Sequence, residues 1–254
     1  MRTYLTSEFT PRDSYDVCIV GAGAAGIVLS DKLRRSGLSV FLAEGGGEDF
    51  SDESQVLYQG TTTGTEYYDL EVARLRYFGG TTNHWGGMCR PLEAQDFEPK
   101  AAAPNSGWPI SREDLAVHFE EAAGILEIPT PPDDTVLNSE STLRRVHFVF
   151  SPPVRFAEKF GAPFAADADL HLCLNCNLVD ADFEGKVIRR LIFRNFTGHQ
   201  TSIAAKYFVI ACGGIENSRL LLHLNRKFAN ALGHQSGNVG RYWMEHPTHT
   251  IGDF

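Results

Sequence analysis

Asp16-Val17-Cys18-Ile19-Val20-Gly21-Ala22-Gly23-Ala24-Ala25-Gly26, followed by a helix-forming stretch and then Ser39-Val40-Phe41-Leu42-Ala43-Glu44, decides the fold. It reads as strand, glycine-rich turn, helix and second strand closed by an acidic residue, the dinucleotide-binding βαβ unit. Gly21 permits the tight turn, Gly23 lets the backbone approach a pyrophosphate, and Gly26 allows close packing of the helix. The N-terminus of the helix that follows offers unpaired N–H groups and a partial positive charge to the phosphates. Glu44, about 20 residues past the turn, is placed to accept hydrogen bonds from adenosine ribose hydroxyls.

Working outward, Val17, Ile19 and Val20 form the short apolar run of a buried parallel strand. Leu29 and Leu33 are spaced for one buried helical face, and Gly37 stands where the helix should end. A nucleotide-free α/β turn with a solvent-facing Glu44 is the competing reading. The unit alone does not separate FAD from NAD, but a carboxylate at position 44 repels the 2′-phosphate of NADP.

The chain has 254 residues, 43% hydrophobic and 22% charged, enough for one large or two modest domains of ordinary globular composition. A net charge of −9 disfavours nucleic acid and anionic membrane surfaces as partners. Neither a signal peptide nor an apolar run of membrane-spanning length is visible, so a cytoplasmic protein is expected. Five cysteines without framework spacing fit reduced thiols in that compartment. Cys173 and Cys176 form a C-x-x-C inside an extended stretch, where positions three apart face opposite sides; they read as unrelated thiols, with no metal site implied.

Residues 1–14 read as a polar arm, and Gly45 to Gly64 as a long surface excursion. Gly79-Gly80-Thr81-Thr82-Asn83-His84-Trp85-Gly86-Gly87 is a second glycine-rich loop. Ser111 with Asp114 resembles a helix cap, and Leu115, Phe119 and Ala122 then predict one apolar face of a helix through Ile125. Pro129 to Asp134 marks a turn or linker. His171 to Val179, Val187 to Phe193 and Thr201 to Ile210 read as strands joined by hairpin turns. Tyr207 to Ala211 reads as a further buried strand, and Gly213-Gly214 as a turn into a helix over Asn217 to Leu224.

Several of these segments, in order, resemble the glucose–methanol–choline (GMC) family of flavin oxidoreductases. The βαβ unit with Glu44 is similar to that family's FAD fingerprint, and Arg76 to Gly87 to its second flavin loop. Ser106-Gly107-Trp108-Pro109-Ile110-Ser111 is similar to the entry to the substrate-domain helix. Phe208 to Leu222 is similar to the strand, turn and helix that return to the FAD domain. Asn238 to Arg241 with Glu245-His246-Pro247 is similar to the loop that follows. Thr82-Asn83-His84-Trp85 looks closest to bacterial members acting on sugars and glycosides, near the pyranose 2-oxidase branch. There a histidine in a Ser-Thr-His-Trp loop can carry a covalent bond to flavin; His84 matches by position and Asn83 departs, so noncovalent contact is expected.

The resemblance implies an α/β, Rossmann-like FAD domain with part of a mixed, β-rich substrate domain. Its segments are 15–107 (FAD unit and second flavin loop), 108–170 (start of the cap), 171–247 (hairpins and return strand–helix) and 248–254 (entry to the substrate domain). It implies FAD held by Gly21, Gly23, Ala24, Ala25, Gly26, Glu44, Gly79, Gly80, Thr81, Thr82, Asn83, His84, Trp85, Gly86, Ala211 and Gly213. The implied reaction passes hydride from a CH–OH carbon of an alcohol or sugar to flavin N5. Longer family members carry their proton-accepting histidine near the C-terminus, beyond the match to this sequence, which closes on Thr250 to Phe254. No catalytic residue is therefore assigned: His246 is read as structural, and a second polypeptide supplying that segment is an expectation. The alternatives are a non-catalytic FAD module and an NAD-dependent dehydrogenase.

Overall fold

The computed structural model describes all residues except 102–105, 133, 139–143, 228–231, 234–235 and 246–254. His246, His249 and the expected substrate-domain entry at 248–254 lie outside the described residues. In chain order the elements begin with β1 (Arg2–Tyr4), β2 (Tyr15–Val20), α1 (Ala24–Arg35), β3 (Val40–Ala43) and α2 (Asp52–Gln55). They continue through β4 (Met88–Cys89), α3 (Ala94–Phe97), α4 (Arg112–Ala116), α5 (Phe119–Leu126), β5 (Thr135–Val136), β6 (Arg144–Arg145) and β7 (Val149–Phe150). The last are α6 (Phe156–Ala166), β8 (Leu170–Leu174), β9 (Asn177–Glu184), β10 (Val187–Arg194), β11 (Gln200–Ile210) and α7 (Gly214–Asn225).

Two compact units result. One comprises residues 1–83 and 156–254, the other 84–155, so the division falls inside the stretch 15–107. The first unit is an α/β fold around a seven-stranded sheet in the order β1-β8-β3-β2-β11-β10-β9. The pairs β1–β8, β8–β3, β3–β2 and β2–β11 are parallel, and β11–β10–β9 is an antiparallel meander. A single strand joins the two halves. Ala205 to Ile210 of β11 pairs with β2, while Gln200 to Ala204 pairs with β10.

Strands at the centre of a parallel sheet are covered on both faces and become continuously apolar. All four residues of β3 and all five of β8 are buried accordingly. One core cluster gathers Cys18, Val20 and Phe41 with Leu191, Phe193, Ile203 and Leu224, so the meander and α7 share a core with the parallel strands. The second unit carries the short pairs β4–β7 and β5–β6, with α3, α4 and α5.

Several sequence expectations are corrected. The N-terminal arm is a strand: β1 pairs with β8, and Leu5 is buried. The buried face of α1 is Gly26, Ile27, Ser30 and Asp31, with Leu29 and Leu33 only half-buried. Asp31 is tolerated there because Arg34 and Arg35 pair with it at 2.5 and 2.8 Å. The helix expected through Ile125 is interrupted between α4 and α5; Leu115 is exposed, and Ala123 rather than Ala122 is buried. The run 207–211 is half-exposed, with Tyr207 open to solvent.

The stretch 171–179 is not one strand. Asn175 adopts φ 52°, a left-handed conformation that asparagine tolerates better than most residues, and the chain bends between β8 and β9. The bend puts Cys173 and Cys176 into the same core cluster as neighbouring free thiols, not on opposite sides of a strand.

Candidate functional site

The turn after β2 is built by close contacts that only glycine allows. Gly21 has φ 101°, and a Cβ there would lie 2.6 Å from the Ala211 carbonyl oxygen. A Cβ on Gly26 would come within 1.9 Å of the Gly21 carbonyl oxygen, so the first turn of α1 lies directly on the preceding loop. Gly23 has open space where a Cβ would be. Among the described residues no side chain caps the N-terminus of α1, and its first turn carries no acidic residue. Gly23, Ala24 and Ala25 line the neighbouring cavity, so the uncapped first turn of α1 borders it.

The second glycine loop packs onto the first. The Gly79 N–H donates to the Ala22 carbonyl at 2.9 Å, and a Cβ on Gly80 would sit 3.1 Å from the Gly23 Cα. Side chains tie this loop internally: Thr82 Oγ1 donates to the Gly79 carbonyl at 2.7 Å and Asn83 Nδ2 to the Phe78 carbonyl at 2.8 Å. Asn83 is thus a strut of the loop.

Glu44 ends β3 and is buried, 6% exposed. Its Oε2 accepts from the Ala22 N–H and its Oε1 from the Gly46 N–H, both at 2.9 Å. The carboxylate bridges the glycine turn to the segment leaving β3, a structural task the sequence reading did not foresee. Each carboxylate oxygen retains a second lone pair for a hydroxyl donor. The backbone of Glu44 is gripped as well: its N–H donates to the Cys173 carbonyl at 2.9 Å, and its carbonyl accepts from the Cys176 N–H at 2.8 Å.

These parts border one cavity of ≈ 490 Å³, within the range of small-molecule and cofactor sites. Of the sequence-predicted residues, Gly21, Gly23, Ala24, Ala25, Glu44, Gly80, Thr81, Thr82, Ala211 and Gly213 line it. Gly26, Gly79 and Asn83 support the loops from behind. His84, Trp85 and Gly86 belong to the second unit, where the Trp85 indole N–H donates to the Val154 carbonyl at 2.9 Å and His84 is exposed.

An entire wall was missed. Tyr58, Arg74, Arg76, Asn177 and Glu216 also line the cavity. Arg76 donates from Nη1 to Ser54 Oγ at 2.8 Å and from Nη2 to Asn177 Oδ1 at 2.6 Å. Buried Glu216 accepts from Arg219 Nε at 2.8 Å and Arg74 Nη1 at 3.5 Å. The signal was Gly45-Gly46, read as the start of a surface excursion. A Cβ on Gly45 would meet the Arg76 guanidinium at 2.2 Å, and one on Gly46 the Arg76 carbonyl oxygen at 2.1 Å. Two pocket thiols complete the floor. Burial pushes Cys212 up to about 12 and raises Cys176, so both stay protonated.

No family model matches the chain. It is similar to 6'''-hydroxyparomomycin C oxidase of Streptomyces lividus, with 24% identity over 89% of this chain and 53% of that protein. In structure it is similar to pyridoxine 4-oxidase from Mesorbium loti, with a TM-score of 0.55, 18% identity, and coverage of 84% of this chain and 52% of that one. The chain spans about half the length of each. The structural likeness establishes a shared α/β fold with a parallel-strand sheet.

Proposed function

We propose that this chain forms the FAD-binding part of a GMC-type oxidoreductase that oxidises CH–OH groups of sugars, glycosides or other alcohols. The observation that carries the reading is the interlocking of two glycine loops beside Glu44, with the open N-terminus of α1 between them. A simple nicotinamide unit needs the first loop alone. Here a second loop, tied to the first at Gly79 and Gly80, extends the cradle along the cavity. The likeness to a protein named as an oxidase supports the redox class.

The residues present fit such a cofactor. Backbone at Gly23 and the N–H groups of Ala24 and Ala25 would hold a diphosphate, and the free lone pairs of Glu44 would take the ribose hydroxyls. Gly80 and Thr81 continue the wall from the diphosphate end. Bound flavin would supply the hydride acceptor; these residues would orient it and shield one face from water. No proton acceptor is assigned among the described residues.

The test is direct titration of the purified chain with FAD and with NAD⁺, read by flavin fluorescence and calorimetry. FAD binding with a 1:1 stoichiometry is expected. Binding of NAD⁺ in preference to FAD, or no binding of FAD, overturns the reading.

A further inference from the structure

Tyr58 stands in the missed wall beside Arg76, whose guanidinium packs against Gly45, the residue after Glu44, so the ring lies on the Glu44 side of the cavity. The guanidinium carbon of Arg74 lies 4.0 Å from its ring centroid and that of Arg76 5.7 Å. Arg74 Nη2 also donates to the Tyr58 carbonyl at 3.2 Å, and Arg74 Nε to the Leu70 carbonyl at 3.1 Å. With Arg76 pinned by Ser54 and Asn177, the ring is held in place by two fixed cations.

That grip explains an aromatic ring at position 58 but not its hydroxyl. Cation–π attraction acts on the ring face and serves phenylalanine equally. Among the described residues the Tyr58 hydroxyl makes no hydrogen bond. Because Tyr58 lines the cavity, that hydroxyl is open to a molecule bound there. Burial, then the nearby charge of Glu44, raises the phenol well above its ordinary range, so it is a donor at every working pH.

The position identifies what it would meet. In a βαβ nucleotide site the diphosphate lies at the helix N-terminus and the adenosine ribose at the acidic residue ending the second strand. Tyr58 is on the acidic side. We propose that Tyr58 is a binding residue for the adenosine half of the nucleotide, its hydroxyl donating to a ribose oxygen or base nitrogen seated beside Glu44. The proposal rests on the nucleotide reading given above.

The experiment titrates ADP, then FAD, into the wild-type chain and Tyr58→Phe, with the thermal midpoint of each apo protein measured alongside. The phenylalanine variant keeps the ring and its two cations, so the midpoint should not move. Both ligands should bind about three- to tenfold more weakly, the worth of one neutral hydrogen bond. Equal ADP affinity in the two proteins overturns the proposal, as does a lowered apo midpoint, which makes the hydroxyl structural. Wild-type binding of ADP without FAD would refute the flavin reading while the ADP series still decides Tyr58. Failure of wild type to bind ADP would overturn both.

Discussion

Glu44→Gln should destabilise the chain before any nucleotide is added. The amide is isosteric, so packing at this buried position is kept and only the acceptor pattern changes. At present each carboxylate oxygen faces one backbone N–H, Ala22 at one end and Gly46 at the other, both at 2.9 Å. The amide oxygen can keep one of these bonds. The amide nitrogen must then point its own hydrogens at the other N–H, a donor against a donor. Losing one charge-assisted bond in a buried setting costs about 1.5–3 kcal/mol. For a chain of this size that lowers the thermal midpoint by roughly 3–12 °C. The assay is thermal and urea unfolding of apo wild type and variant by circular dichroism, followed by FAD titration of both. If Glu44 served only the ribose, apo stability would be unchanged and the affinity alone would fall. An apo midpoint within about 1 °C of wild type would therefore refute the bridging role derived from the geometry.

His171 provides a pH-dependent prediction. Buried with Nδ1 2.9 Å from the Tyr15 hydroxyl and Nε2 3.0 Å from Thr3 Oγ1, it is depressed from 6.5 to about 4, first by burial and then by the N-terminal ammonium and Arg12. The unfolded chain takes up this proton first, so the contribution is complete above pH 6.5 and is lost as pH falls toward 4. It amounts to about 3 kcal/mol, and His171→Gln should flatten that part of the stability–pH curve; an unaltered slope refutes the assignment. Gly26→Ala would place a Cβ 1.9 Å from the Gly21 carbonyl oxygen, so the turn must open; a loss of about 1–3 kcal/mol in urea unfolding and weakened FAD binding are expected. Acid precipitation of the FAD-loaded chain should release all flavin into the supernatant, leaving an unmodified His84 peptide by mass spectrometry; a flavin-bearing His84 peptide would establish linkage instead.

The βαβ unit was legible because its signals are local. Gly21, Gly26 and the apolar runs of β2 and β3 each express a constraint felt within a few residues: a tight turn, a helix lying on its own loop, a strand covered on both sides. The second glycine loop was legible for the same reason, although its packing on the first was not. Tertiary structure decided the rest. Polar-looking residues 2–4 became a strand because β8 offered an open parallel edge, and a strand edge is not encoded in the residues that fill it. Arg76 and Asn177 meet at 2.6 Å across 101 positions, and no periodicity links them. Glu44 could be placed at the end of β3 from its spacing, yet its bonds to Ala22 and Gly46 depend on how the turn folds back over the strand. Tyr58 and its flanking arginines sit in a segment without regular pattern, where side-chain direction is set by the neighbours that close around it. Local chemistry in the sequence determined the strand, glycine turn and helix that border the cavity; long-range packing determined which side chains complete the walls, because those contacts exist only once distant segments are brought together.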